Sequence, residues 1–220
     1  MKRIVIGKNS ALWRQLSSDP VIAERFHAAL SHRDLATYAF MPDDEIWVLS
    51  YSRDPLENRA MIDSLGPNHS GRVIYFSTAT ANVCEVTRCY QYPRVKAVAA
   101  AYVAAQLASA VIVQLGFVYK TPGDLPSGRT AAISMDELAV FFRDGPGLQS
   151  GTLRLFTMVH KPHGSTPERI LHRAYDVLQK WCGAIPCALR PLDVVIRAAG
   201  WKWYGYVNLS NRLWSSTTSL

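Results

Sequence analysis

The sequence lacks any long, uninterrupted hydrophobic segment. The longest candidate, residues 95–117, contains Lys96 and three further polar side chains, so it falls short of the run of about 18 or more apolar residues that a membrane-spanning helix needs. The amino terminus has a basic pair, Lys2 and Arg3, with only a three-residue apolar run after it, whereas a secretory signal needs roughly 7–15 apolar residues. These two absences predict a cytoplasmic protein without a membrane span.

Cysteine is scarce, and metal-ligand spacing is missing. The cysteines are Cys84, Cys89, Cys182 and Cys187. Four residues separate the members of each pair, which is wider than the usual spacing of zinc ligands. His160 and His163 lie on either side of a proline, which is incompatible with a regular helix there. We therefore expect free thiols and no metal site.

Clustered positive charge is also missing, although the chain is basic. The formal net charge is +7, which favours anionic partners in general. The lysines and arginines are nevertheless spread along the chain, with no cluster denser than Lys2 and Arg3 and no nucleic-acid recognition motif. The composition thus argues against a nucleic-acid partner and is compatible with a small anionic ligand such as a nucleotide.

Short apolar runs alternate with helical patterns in the first half of the chain. The predicted strands are 4–6, 37–40, 45–51, 73–76 and 111–115. The predicted helices are 10–16, 20–30 and 88–110. A further helix is predicted to begin at Asp54 and Pro55 and to end at Gly66. Continuously apolar strands that alternate with helices are typical of a parallel sheet covered on both faces. The pattern therefore predicts an α/β fold.

The second half of the chain has fewer clear signals. We expect a loop at 120–130, a helix after Ser134, a strand at 153–158, and helices at 166–181 and 191–199. No linker is long enough to separate two domains. The last 20 residues carry the aromatic residues Trp201, Trp203, Tyr204, Tyr206 and Trp214. Such a cluster could close over a substrate, contact a membrane surface, form a homodimer contact or pack across the protein's own core.

The sharpest motif is a tyrosine four residues before a lysine, Tyr92 and Lys96, near the start of a predicted helix. This spacing puts both side chains on one helix face. A nearby ammonium favours the phenolate and lowers the pKa of a tyrosine toward that of a general acid/base. Ser77 and Thr78 end the preceding strand and could hydrogen-bond the same substrate oxygen. The alternative is a surface tyrosine and lysine without a chemical role.

With their flanking segments, these residues resemble the short-chain dehydrogenase/reductase superfamily, in particular its sugar-nucleotide (NAD-dependent epimerase/dehydratase) branch. Segment 44–50 is similar to the family's fourth strand, 111–122 to the strand and turn after the catalytic helix, and 133–141 to a later helix. The resemblance covers roughly residues 2–142. It implies a single Rossmann-like domain over 1–220: a doubly wound parallel sheet that binds the nucleotide, to about residue 118, followed by a small, mostly helical substrate region.

The resemblance also implies a chemical role for each residue of the motif. Tyr92 would be the catalytic acid/base, Lys96 would also hold the nicotinamide ribose, and Thr78 or Ser77 would polarise the substrate. The chain would then be an NAD(P)-dependent oxidoreductase, epimerase or dehydratase. Its substrate would be a nucleotide-linked sugar or a similar small carbonyl or alcohol, as in polysaccharide biosynthesis.

The family's glycine fingerprint is only partly present. The pattern Gly-x-x-Gly-x-x-Gly begins at Gly7 but continues with Ser10 and Trp13, and the missing glycines are those that allow close approach to the pyrophosphate and close helix packing. The cofactor contacts implied by the resemblance are Gly7, Lys8, Asn9, Ser10, Ala11, Leu12, Ser50 and Lys96. The incomplete fingerprint also supports a second hypothesis, a non-catalytic protein that binds a nucleotide or scaffolds a biosynthetic complex.

The choice between NAD and NADP depends on the residues near the first two strands. A ribose-binding acid is expected at the end of the second strand, where the predicted strand 37–40 ends with Phe40 and Met41 follows it. Lys8 and Arg14 could instead contact a 2′-phosphate, which favours NADP slightly over NAD. The alternative is that both cations are solvated helix residues.

Overall fold

The computed structural model describes residues 1–66, 69–85, 91–145, 150–167, 169–170, 173–174, 177, 193–194 and 197–198. The strands are β1 (Arg3–Ile6), β2 (Ala28–Leu30), β3 (Glu45–Val48), β4 (Val73–Thr78), β5 (Ala110–Leu115), β6 (Phe117–Tyr119), β7 (Gly128–Ser134), β8 (Gly151–Leu155) and β9 (Thr157–Lys161). The helices are α1 (Ala11–Leu16), α2 (Pro20–Arg25), α3 (Pro55–Asp63), α4 (Gln91–Gln106) and α5 (Met135–Asp144). Short 3₁₀ segments lie at Ala79–Glu85 and Pro122–Asp124.

The larger sheet contains six of the described strands, in the order β2-β1-β3-β4-β5-β8. β1 lies between β2 and β3 and is parallel to both, and β3 is parallel to β4. This arrangement confirms the predicted Rossmann-like parallel sheet, with its first strand in the interior. A smaller sheet has the order β6-β7-β9, in which β7 is parallel to β6 and antiparallel to β9.

The larger sheet buries side chains on both faces because successive residues of a strand point in opposite directions. On one face the strand register aligns Ile4, Ile46 and Val73. These side chains belong to a core that also includes Met61 of α3 and Val103 of α4. Burial on both faces explains why the central strands consist almost entirely of apolar residues.

An aromatic cluster occupies the opposite face of the same sheet. The Trp47 ring centroid lies 4.6 Å from that of Phe142 on α5 and 5.4 Å from that of Phe26. Phe26 in turn meets the Trp13 ring of α1 edge-on at 5.1 Å. Aromatic contacts of this geometry contribute about 0.5–1.5 kcal/mol each beyond the burial of their surface. The cluster therefore joins α1 and α5 to the sheet.

The second strand lies elsewhere than predicted. β2 occupies the end of the segment predicted as the helix 20–30, and α2 stops at Arg25. Residues 37–40 are not in a strand, and the rings of Tyr38 and Phe40 pack on each other at 5.0 Å. The error has a physical cause, because pairing of Ala28 and Leu30 with β1 fixes an extended backbone in a stretch whose residues favour a helix.

The region after residue 118, predicted to be mostly helical, also contributes strands. β7 begins at Gly128, inside the predicted loop 120–130. The sequence predicts one continuous strand at 153–158, which is wrong. Phe156 separates β8 from β9, and the two strands belong to different sheets. His160, predicted to lie in a loop, is part of β9, and His163 follows that strand.

The carboxy-terminal part is described only at isolated positions. The described residues of the predicted helices 166–181 and 191–199 are helical. The aromatic residues at 201–214 lie outside the described residues, as do Cys89, Cys182 and Cys187. Within the described part of the chain, no helix is long and apolar enough to cross a membrane.

The chain divides into two compact units, each assembled from separate segments. The first comprises Met1–Ser77, Val95–Gln114 and Met135–Leu155 and contains nearly all of the larger sheet. The second comprises Thr78–Arg94, Leu115–Ser134 and the described residues from 156 onward, and it contains the smaller sheet. The single domain divided near residue 118 that the sequence predicts stays a prediction.

Candidate functional site

A cleft of about 880 Å³ lies beyond the carboxyl ends of β1, β2 and β3. Its walls are the three segments that follow those strands. The lining residues are Gly7, Lys8, Asn9, Ser10, Ala11, Ser31, His32, Arg33, Asp34, Leu49, Ser50 and Tyr51. In open α/β sheets ligands bind at this edge, and small-molecule sites have volumes of about 300–1,000 Å³. Position and size therefore identify the cleft as a candidate ligand site.

The segment after β1 owes its shape to a glycine and a helix cap. Gly7 has φ of 121°, a conformation that favours glycine, and a Cβ added there would lie 2.9 Å from the backbone nitrogen of Ser50. The Gly7 amide donates to the carbonyl of Leu30 at 2.7 Å. Ser10 caps α1 by accepting a hydrogen bond from the Trp13 amide at 3.1 Å. These contacts hold the loop close to the ends of the neighbouring strands.

Trp13, which stands at the position of the last fingerprint glycine, faces the core. Its side chain is 6% exposed, belongs to the aromatic cluster beside Phe26, and does not line the cleft. Leu12, a predicted cofactor contact, is also absent from the lining of the cleft and is half-buried. The indole of Trp13 thus packs in the aromatic cluster on the face of the larger sheet and takes no space from the candidate site.

An ion pair joins the segments that follow β1 and β2. Lys8 Nζ lies 2.7 Å from Asp34 Oδ2, and the same carboxylate accepts hydrogen bonds from the amide and hydroxyl of Ser31. The hydrogen bond from Lys8, with those from Ser31, lowers the pKa of Asp34 to about 2. Arg14 donates to the carbonyl of Asn9 at 2.7 Å. Both cations from which NADP preference was predicted therefore have partners within the protein.

Residues 31–34 belong to the candidate site, although the sequence did not reveal them. They follow the true second strand, whereas Phe40 and Met41 follow a segment that is not a strand. The acid that comes after the second strand is therefore Asp34. The detectable signal is the abrupt change from the apolar run 28–30 to four polar residues, a change typical of a strand that ends at a functional edge.

Lys96 is buried next to the end of β4. Its side chain is 3% exposed, and Nζ donates to the carbonyl of Phe76 at 2.7 Å. The same atom lies 4.8 Å from the ring centroid of Tyr51 and 5.1 Å from that of Tyr75. Burial lowers the pKa of Lys96 to about 7, because a poorly hydrated site disfavours the charged amine. Lys96 does not line the cleft, but Tyr51 does.

The remaining predicted catalytic residues lie on β4 and α4. Tyr92 is half-buried in the first turn of α4, four positions before Lys96. Ser77 and Thr78 form the buried end of β4. The hydroxyl oxygen of Thr78 is 3.0 Å from that of Thr80. The catalytic roles of these residues stay predictions.

No protein-family model matches the sequence, and the comparison with curated proteins also finds no match. Solved structures do match. A short-chain dehydrogenase/reductase superfamily protein from Agrobacterium tumefaciens with bound NAD is 12% identical, with a TM-score of 0.55 over 82% of this chain and 83% of that one. UDP-glucose 4-epimerase from Thermus thermophilus in complex with NAD is 13% identical, with a TM-score of 0.52 over 71% and 78%.

A third similar structure is dTDP-4-dehydrorhamnose reductase from Bacillus anthracis in complex with NADP. It is 13% identical, with a TM-score of 0.51 over 71% of this chain and 75% of that one. Identities this low establish the fold alone. The chain thus has the Rossmann-like fold of these solved structures, as the resemblance of its sequence predicts.

Proposed function

We propose that the chain is a nicotinamide-dinucleotide-binding enzyme of the short-chain dehydrogenase/reductase type. Its reaction would be an oxidation–reduction, epimerisation or dehydration of a nucleotide-linked sugar or a similar small carbonyl or alcohol. The observation that carries the proposal is the cleft, in which polar residues from three separate segments meet at the edge where this fold binds ligands. The similar structures solved with NAD or NADP support the same class of ligand.

The residues of the cleft fit a dinucleotide. Gly7 lets its loop pass close to the backbone of Ser50, since a Cβ there would lie 2.9 Å from the Ser50 nitrogen, and so holds the loop at the carboxyl end of β1, where dinucleotide-binding folds place the pyrophosphate. Lys8 and Arg33 both line the cleft, and because Lys8 is paired with Asp34, Arg33 supplies the positive charge that a pyrophosphate would meet. Segment 31–34 follows the second strand, the position at which dinucleotide-binding folds contact the ribose.

In the proposed chemistry, one residue transfers a proton to or from the substrate and the others position the substrate oxygen or adjust the pKa of that residue. The nicotinamide supplies the hydride donor or acceptor. Tyr92 exchanges a proton with the substrate oxygen, and Ser77 or Thr78 holds that oxygen by a hydrogen bond. The protonated form of Lys96, one helical turn from Tyr92, favours the phenolate and so lowers the pKa of Tyr92.

A non-catalytic nucleotide-binding module is the second candidate, and the burial of Lys96 favours it. The ammonium is already bound to the carbonyl of Phe76 and is only 3% exposed. Burial lowers the pKa of the amine to about 7, so its charged form is much less favoured than that of an exposed lysine. A partly neutral, enclosed amine is a weaker partner for a phenolate or a ribose than an exposed ammonium.

The Tyr92→Phe variant tests the catalytic proposal. Turnover is measured with NAD and NADP on a panel of nucleotide sugars. Since the variant loses one hydroxyl and keeps the ring, we expect turnover to fall by about 10²–10⁴-fold, the usual contribution of acid/base catalysis. Arg94→Ala, which changes an exposed residue on the same helix turn, should be almost silent. Full activity of Tyr92→Phe would refute the catalytic role, and binding without turnover in the wild type would favour the module.

A further inference from the structure

Among the described residues, a carbonyl and two aromatic rings lie around the Lys96 amine. An ammonium has three protons to donate and no acceptor, and one of them is used by the carbonyl of Phe76 on β4. The ring of Tyr75 on β4 and the ring of Tyr51 after β3 both lie within about 6 Å of Nζ, the range in which a ring face attracts a cation. The rings thus take the place of part of the hydration that burial removes.

The two rings differ in their exposure to solvent and in whether they line the cleft. Tyr75 is fully buried in the core, whereas the side chain of Tyr51 is 37% exposed and lines the cleft. The ring of Tyr51 therefore contacts the Lys96 amine and is also part of the wall that a ligand in the cleft would meet.

The backbone on each side of Tyr51 is anchored. Before it, the amide of Ser50 donates to the carbonyl of Ile6 at 3.2 Å. After it, Ser52 exchanges hydrogen bonds with the side chain of Asn58, with its amide donating at 2.8 Å and its carbonyl accepting at 2.8 Å. These anchors restrict the position of Tyr51 between the cleft and Lys96.

We propose that Tyr51 is a positioning residue for Lys96: its ring covers the amine on the side of the cleft and holds it against the carbonyl of Phe76. A ligand in the cleft that contacts this ring would therefore act on the Lys96 amine indirectly, through the ring. The role of Lys96 in a reaction rests on the proposed function, but the covering of the amine is a property of the chain without any ligand.

Titration of the Lys96 side chain by NMR tests this proposal in the full chain without dinucleotide or sugar. The ¹³Cε resonance is followed against pH and assigned by its loss in Lys96→Met. The titratable side chains facing the amine in its described contacts are Tyr51 and Tyr75, and Tyr92 lies one turn earlier on α4. In the wild type the midpoint is expected near 7, because burial lowers the pKa of Lys96 to about 7.

Three substitutions at position 51 have different expected results. Tyr51→Ala admits water to the amine, so the midpoint should rise by about one unit or more toward the ordinary 10.5, a change of about tenfold or more in the proton affinity. Tyr51→Phe keeps the ring and should retain the wild-type midpoint. Tyr51→Leu keeps an apolar cover without a π-face, so the midpoint should fall below that of the wild type.

The matched control is Tyr102→Ala, which changes another tyrosine on α4, the helix that carries Lys96. The Tyr102 ring faces Arg59 and its hydroxyl donates to Asp63, so this variant should leave the midpoint of Lys96 unchanged. The proposal is overturned if the midpoint stays in place in folded Tyr51→Ala, or if Tyr51→Phe shifts it as far as Tyr51→Ala does. Because the titration is carried out without a ligand, its outcome does not depend on whether the chain binds a dinucleotide or turns over a substrate.

Discussion

Gly7 is the residue on which the shape of the cleft depends most directly. Its positive φ lets the chain turn directly after β1, and the absence of a side chain allows the loop to pass close to the backbone of Ser50. Any larger residue would require both a strained backbone and a shift of one of the two loops. The same two features make the site sensitive to a single added methyl group.

The Gly7→Ala variant should be less stable and bind dinucleotide more weakly. We expect a loss of about 1–3 kcal/mol in the free energy of unfolding, the usual cost of a strained backbone conformation, measured by urea denaturation. The control is Gly123→Ala, whose added Cβ would meet Thr121 Oγ1 at an ordinary 3.4 Å. A Gly7→Ala protein as stable as the Gly123→Ala protein would contradict this account of the loop.

The ion pair between Lys8 and Asp34 predicts a pH dependence of stability. The folded pKa of Asp34 is about 2, below its ordinary 3.8, so folding favours the carboxylate. The stabilisation is therefore present above about pH 4 and is lost as the pH falls toward 2; it is small, because both side chains are partly exposed. The difference in unfolding free energy between wild type and Asp34→Asn should shrink across that interval. A difference independent of pH would show that the pair contributes nothing.

At the scale of elements, the strands that the sequence predicts are those with burial on both faces. β1, β3 and β4 are recognisable because each contains a continuous apolar run, at 4–6, 46–48 and 73–76. β2 is not, since its three residues, Ala-Ala-Leu, favour a helix in isolation and become a strand through pairing with β1. That missed strand also concealed residues 31–34, because a segment is recognised as part of a site only when the strand before it has been located.

Amide hydrogen exchange distinguishes the two positions of the second strand. The amides of residues 27–30 that point toward β1 should be protected, among them that of His27, which donates to the carbonyl of Arg3 at 2.7 Å. Residues 37–40 should exchange faster, since they belong to no strand and the hydrogen bonds of the Thr37 and Tyr38 amides, both to the carbonyl of Asp34, are those of an isolated turn. The amides of β1, β3 and β4 should be among the slowest. Protection at 37–40 with rapid exchange at 27–30 would instead support the second strand that the sequence predicts at 37–40.

The attachment of α1 to the sheet depends on Trp13. The indole is part of the aromatic cluster, so Trp13→Ala should cost about 3–5 kcal/mol of stability, measured by chemical denaturation. Trp13→Phe keeps an aromatic ring next to Phe26 and should lose much less. If Trp13→Ala instead unfolds at the wild-type denaturant concentration but no longer binds dinucleotide, Trp13 is a ligand contact and its assignment to the core is wrong.

At the scale of the whole molecule, the fold could be predicted and the site only in part. The order of buried strands and helices is a local property of the sequence, and it was enough to indicate a Rossmann-like sheet. The cleft is not local, because its walls come from segments 7–11, 31–34 and 49–51, which only the strand order brings together. The described sheet has β2 alone on one side of β1, where the classic dinucleotide-binding order has two strands.

The most direct test of the central claim is a fluorescence titration of the full chain with NADH and with NADPH. If the cleft binds a nicotinamide dinucleotide, at least one of the two should give a saturable signal with a dissociation constant in the micromolar range. Gly7→Ala should weaken that binding, while Gly123→Ala should leave it unchanged. Folded wild-type protein that binds neither NADH nor NADPH would contradict the claim.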